Sequence, residues 1–273
     1  MLRRALFKSL SLLIVGVCTT VSSPAMYGQN EAKPSSGKIY ELRFYVTNPG
    51  KLDALHARFR NHTLGLFEKH GMENIAYWNV VEGAKNDGDK AANMLVYIIA
   101  HKNAEAKEAS WKAFGADPEW QKVRTESEKD GKILAEPPRA ILMTETDFSK
   151  FDWPKNGSSQ DKAKLYELRQ YNDGPARVPF TVERFGFGET KLFTDAGMET
   201  IKFWKAQDDS AFIYLLAHKD RDAAKESWSK FMGSFQSFMQ KYNQEKGGPP
   251  KDAAKGNGME VRFLVPTDYS PRK

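Results

Sequence analysis

The chain has 273 residues, 40% of them hydrophobic and 12% aromatic, enough for two domains of roughly 110 residues with buried cores, which excludes a wholly disordered chain. Its formal net charge is +6, and Arg3, Arg4 and Lys8 supply three basic groups in a leading segment that has no acid; elsewhere basic residues are dispersed among acids, which argues against a nucleic-acid partner. Cys18 is the single cysteine, so everything after it lacks a disulfide or a thiol nucleophile.

Basic residues, an apolar run from Leu10 to Val17 and small residues ending at Ser23-Pro24-Ala25 predict a signal peptide over 1–25, cleaved after Ala25. The run is shorter than the ~20 residues that span a bilayer, which weakens the competing reading of an uncleaved anchor. Lipid attachment at Cys18 is a further alternative, disfavoured by the bulk of Val17. The expectation is export to the periplasm or the extracellular space, with a membrane as partner only in transit.

Residues 38–46 alternate, with Tyr40, Leu42 and Phe44 on one face and Glu41, Arg43 and Tyr45 on the other, as in a strand with two different faces. After the Pro49-Gly50 turn, Leu52, Leu55, Phe59, His62 and Leu66 step by three and four. That spacing predicts an amphipathic helix over 51–70 with His62 on its packed stripe, stopped by Gly71. Two β-rich runs, 75–81 and 94–100, flank a Gly-, Asn- and Asp-rich stretch that reads as a hairpin loop. Asn103 caps the next helix, Asp117-Pro118 restarts one, and 141–146 closes the unit as a strand.

This order then recurs. Tyr40-Glu41-Leu42-Arg43 is matched by Tyr166-Glu167-Leu168-Arg169, Gly71-Met72-Glu73 by Gly197-Met198-Glu199, and Trp78 by Trp204, all at an offset of 126. Beyond a shortened loop the offset becomes 117, pairing Ala100-His101-Lys102 with Ala217-His218-Lys219 and Ser110-Trp111 with Ser227-Trp228. Thr146-Asp147-Phe148-Ser149 is echoed by Thr267-Asp268-Tyr269-Ser270. The expected organisation is α+β: two tandem ferredoxin-like units, 38–150 and 165–271, joined by a polar linker over 151–164. A sheet covered by helices on one side leaves its other face open, and Glu41, Arg43 and Tyr45 are assigned to that face. Two such sheets are expected to close on each other as an intrachain dimeric α+β barrel with these residues between them.

The run Tyr-Glu-Leu-Arg-x-Tyr, the Pro-Gly turn, Arg58-Phe59-Arg60-Asn61-His62-Thr63, Phe67-Glu68-Lys69-His70-Gly71-Met72 and Tyr77-Trp78 closely resemble the NIPSNAP family, in both halves of the chain. The resemblance implies a ferredoxin-like unit of the dimeric α+β barrel group, and it describes fold better than chemistry. The second half departs from the pattern at Ala176, Gly188 and Ala196, in place of Gly50, His62 and His70.

Candidate chemistry centres on a few side chains. His62 is either a hydrogen-bonded core histidine or a ligand, acid–base or haem-contacting group, and Gly188 opposite it makes the halves chemically unequal. Metal binding by His62 with His70 fails, since eight helical residues separate them by about 12 Å. Glu41 with Arg43, and Glu167 with Arg169, read as charge pairs across the interface, or as an oxyanion site with Tyr45 or Tyr171 between the sheets. Trp78 and Trp204 read as packing residues or as walls of a ligand box. No cofactor is required by the sequence, though a haem contact through His62 stays open. The functional expectation is a binding protein with a pocket between helix and sheet, for a small apolar or carboxylate-bearing ligand or a protein partner. The alternatives are a cofactor-independent or haem-dependent monooxygenase-like enzyme and a structural envelope protein, with association into a homo-oligomer also open.

Overall fold

A computed structural model describes residues 37–149, 153, 165–248 and 258–273. The expected signal peptide, nearly all of the linker and most of the Gly-Pro stretch after 248 lie outside the described residues. The first half runs β1 (Ile39–Val46), α1 (Leu52–Arg58), a π-helical turn (Phe59–Thr63), α2 (Leu64–Lys69), β2 (Glu73–Glu82), β3 (Met94–His101), α3 (Ala104–Ala116), α4 (Pro118–Ser127) and β4 (Arg139–Glu145). The second runs β5 (Leu165–Tyr171), α5 (Val178–Arg184), a π-helical turn (Phe185–Glu189), α6 (Thr190–Asp195), β6 (Glu199–Ala206), β7 (Phe212–His218), α7 (Arg221–Lys246) and β8 (Met259–Pro266).

The eight strands form one closed antiparallel barrel in the order β1-β3-β2-β8-β5-β7-β6-β4, so the halves meet at two seams, β2 with β8 and β4 with β6. Closure removes the exposed sheet edges that an open four-stranded unit would carry. Helix ends follow local chemistry. Asn103, Asp117 and Asp220 accept backbone N–H bonds at 2.8 Å as N-caps. The Gly-Met pairs terminate α2 and α6: Gly71 (φ +77°) and Gly197 (φ +83°) reverse the chain, and the N–H groups of Met72 and Met198 return to Phe67 and Phe193 at 2.9 Å.

The faces of β1 are the reverse of the expectation. Tyr40, Leu42, Phe44 and Val46 point into the barrel, whereas Tyr45 packs with Phe59 in the layer between sheet and helices. Period two separates two faces without ranking them, and here both are buried. The barrel interior has no helix donors to serve a carboxylate, while α3 and α7 present indole N–H groups to the outer face.

A second departure lies in the first helix. The π turn over Phe59–Thr63 adds a residue to one turn and rotates everything after it, so Thr63 takes the inward place forecast for His62. His62 is exposed. The stretch forecast as a plain hairpin loop is ordered further, by a 3₁₀ turn over Gly88–Asn93. Asp87 in it accepts from Arg262 Nε and Nη2 at 2.6 Å each, plugging one end of the barrel with a buried ion pair. Gly83 permits this fold-back, since a Cβ there would meet Ala91 Cβ at 2.5 Å.

The Thr-Asp-Phe/Tyr-Ser echo is a reciprocal clasp. Thr267 donates its N–H to Tyr77 O (2.9 Å) and Ser270 Oγ accepts from Tyr77 N (2.9 Å). In the other seam Thr146 N–H reaches Phe203 O (3.2 Å) and Ser149 Oγ accepts from Phe203 N (3.0 Å). Each half thereby lends an aromatic ring to the other: Phe148 packs on Phe203 and Phe185, and Tyr269 on Tyr77 and His56.

Candidate functional site

The repeated Glu, Arg, His and Trp residues assemble into one knot per half. Glu41 Oε1 accepts from Trp111 Nε1 at 2.6 Å and lies 2.9 Å from His101 Nε2, while Arg43 Nη1 donates to Oε2 at 2.6 Å. Glu167 repeats this with Trp228 Nε1 at 2.8 Å, His218 Nε2 at 2.9 Å and Arg169 Nη1 at 3.2 Å. Burial alone pushes the Glu41 carboxyl up, and the bonds from His101, Trp111 and Arg43 more than offset it, leaving it at about 2. The Glu–Arg pairs therefore lie within one strand, beneath the helices, and not across the interface between sheets. A carboxylate with all its partners in place ties strand to helix, and the oxyanion site forecast between the sheets does not form.

The open space next to these knots lies between helix and sheet. In the second half a cleft of about 410 Å³ is lined by Tyr171, Arg177, Arg184, Phe235, Met239 and Met259, with Asp173 and Thr181 at its side. Tyr171 OH lies 2.9 Å from Tyr214 OH on the cleft floor, and Arg169 Nη2 donates to Met259 Sδ at 2.8 Å. Arg184 donates through Nε to buried Glu189 at 2.5 Å. That contact uses Nε and not the two terminal amino groups, and Arg184 itself lines the cleft. Burial raises the Glu189 carboxyl above its ordinary range, and Arg184 and Arg169 only partly oppose this.

The first-half counterpart, about 460 Å³, is lined by Tyr45, Arg58, Trp120, Arg124 and Glu128. Here Arg58 spends a terminal amino group, Nη1, on Glu128 at 3.2 Å and on Ser127. A protein carboxylate already occupies the position that a ligand carboxylate would seek.

Residues 40–150 match the family model described as NIPSNAP. They are a NIPSNAP domain.

Beyond that match, the α+β barrel of this chain is shared with a proposed monooxygenase from Fusobacterium nucleatum subsp. nucleatum. The two are 11% identical, and the alignment covers 88% of this chain and 96% of that one with a TM-score of 0.50. An uncharacterized NIPSNAP-like domain protein from Burkholderia xenovorans is 17% identical over 46% of this chain and 99% of its own (TM-score 0.36). A NIPSNAP family protein of unknown function from Agrobacterium tumefaciens is 19% identical over 42% and 95% (TM-score 0.35). At 11% identity the likeness to the Fusobacterium protein speaks for the fold alone. No curated protein matches the chain.

The remaining sequence candidates do not converge on the cleft. His62 lines a groove of about 470 Å³ on the outer helical surface with Asn61, Glu119, Lys122 and Glu126. Trp78 and Trp204 are fully buried inside the barrel. Gly188 sits in the second π turn at φ +147°, a conformation His62 does not share. The other histidines are engaged: His56 with Tyr269, His70 with Asp117, His101 and His218 with the two glutamates. Among the described residues no imidazole lines either helix–sheet cleft, so the cleft residues do not fit a haem. Among the described residues no group of His, Cys, Asp and Glu is placed to hold a metal ion, and no helix is long and apolar enough to cross a membrane. Arg184 and Glu189 were missed by sequence reasoning, because burial and the π turn that pairs them five residues apart leave no periodic mark.

Proposed function

We propose that this protein binds one small carboxylate with an apolar body in the second-half cleft, and that residues 165–271 are a diverged second NIPSNAP unit specialised for it. The observation that carries the reading is Arg184, which lines the cleft with Phe235, Met239 and Met259 and meets Glu189 through Nε, not through its terminal amino groups. Apolar surface supplies the affinity and the fork fixes orientation, as in most small-molecule sites. The N-terminal sequence supports export, which would put this cleft in the periplasm or outside the cell.

Calorimetric titration with 2-naphthoate tests the reading. Saturable binding is expected, weakened about tenfold or more in Arg184→Gln, the ~1.5–3 kcal/mol of a charged hydrogen bond. Equal affinity for the uncharged 2-naphthalenemethanol would overturn it.

A second reading, oxygenation of a bound phenolic ligand without cofactor, draws on Glu189. A buried carboxyl held above its usual range, within electrostatic reach of Tyr171 and Tyr214, is suited to take a phenolic proton. Oxygen uptake with a hydroquinone, lost in Glu189→Gln while affinity is kept, would favour it over simple binding.

A further inference from the structure

The halves differ where the first helix of each meets the arm of the opposite half. In the first half Arg60 donates through Nε and Nη2 to both carboxylate oxygens of Asp268 at 2.7 Å each, and its guanidinium lies 5.4 Å from the Tyr269 ring centre. His56 Nδ1 sits beside it, 2.8 Å from Tyr269 OH. The repeat places Gly186, Asp147, Phe148 and Val182 at the positions of Arg60, Asp268, Tyr269 and His56. The acid is retained, the arginine is gone, and the polar pair beside it has become apolar.

Gly186, at the sequence position of Arg60, borders an open cavity of about 720 Å³ together with Asp147, Phe148, Val182 and Phe187. Phe148 approaches the backbone so closely that a Cβ on Gly186 would lie 3.2 Å from its ring. The other charged groups on the rim are paired: Glu145 with Lys202 at 3.2 Å, Glu183 with Lys246 at 3.5 Å and Lys205 with Asp209 at 2.5 Å. Among the described residues, Asp147 has no ion-pair partner of its own.

The geometry points to this cavity as a site for a small molecule bearing a guanidinium or amidinium group on an apolar body. The cation occupies the place that Arg60 fills in the first half, paired with Asp147 and set against the Phe148 ring, while the body rests on Val182 and Phe187. The protein's own arginine is the template, and the two attractions involved are the carboxylate–guanidinium fork and the ring quadrupole. The cavity is separate from the carboxylate cleft, which opens on the Thr181 and Arg184 side of α5.

Titration of the full chain with phenylguanidine, followed by calorimetry, tests the inference. Saturable binding of one molecule per chain is expected. Asp147→Asn, at an exposed position where folding is not at stake, should weaken it about fivefold, the factor that one partly exposed ion pair supports. Gly186→Arg should refill the cavity and abolish binding. Absence of saturable binding to the wild type, equal affinity in Asp147→Asn, or equal affinity for benzyl alcohol would each overturn the inference. Competition by 2-naphthoate would also do so, by locating phenylguanidine in the carboxylate cleft.

Discussion

The ring of Tyr40 meets Trp204 edge-on, 5.9 Å between centres, joining a strand of the first half to a strand of the second inside the barrel. Trp78 and Tyr166 form the reciprocal pair, also at 5.9 Å. The four residues are the matched Tyr and Trp of the two halves, and each tyrosine packs on the tryptophan of the other half. Trp204→Ala is expected to cost about 3–5 kcal/mol as a buried large-to-small change, and a cycle with Tyr40→Ala to show coupling of about 0.5–1.5 kcal/mol. Denaturant unfolding of the four proteins checks both. Zero coupling, with two separate transitions in the wild type, would mean that the halves fold as independent units.

Acid stability should trace to Glu41. Its folded-state carboxyl lies at about 2 against an ordinary 4.5, so its stabilising contribution is complete above 4.5 and is lost as pH falls from there toward 2. Glu41→Gln should cost about 3 kcal/mol at pH 7, and the deficit should shrink steadily below pH 4.5. Melting temperatures of both proteins at pH 7, 4 and 2.5 provide the check. A gap that stays constant with pH would show that the knot is not ionic.

Gly188 carries strain that no side chain would tolerate cheaply. At φ +147° an L-residue is far outside its favoured regions, so Gly188→Ala should destabilise by about 1–3 kcal/mol although its Cβ would meet nothing closer than Phe238 at 3.7 Å. His62→Ala at the equivalent, exposed position should be within about 0.5 kcal/mol of wild type. Paired chemical denaturation curves distinguish these, and equal effects would contradict a conformational origin.

Much of the fold was legible because single residues announce it. The Tyr-Glu-Leu-Arg repeats mark β1 and β5, the Gly-Met pairs mark the ends of α2 and α6, and Asn103, Asp117 and Asp220 mark helix starts. What stayed hidden has physical causes. Alternation in β1 separates Tyr40 from Glu41 but cannot say which faces the barrel when both faces are buried. A helical wheel drawn at 3.6 residues per turn misplaces His62 as soon as one π turn intervenes. The site suffered most, since Arg184 and Glu189 acquire their roles only through the second π turn, over Phe185–Glu189, and Gly186 only through the arm that Phe148 brings from the other half.

The stoichiometry of carboxylate binding decides whether the second-half cleft is the site, because the arginines of the two clefts are engaged differently. Arg58 spends Nη1 on Glu128, while Arg184 meets Glu189 through Nε and lines its cleft. Calorimetric titration with 2-naphthoate should give one site per chain, weakened about tenfold or more in Arg184→Gln and unchanged in Arg58→Gln. Two equivalent sites, or a single site that disappears with Arg58 instead, would contradict the account.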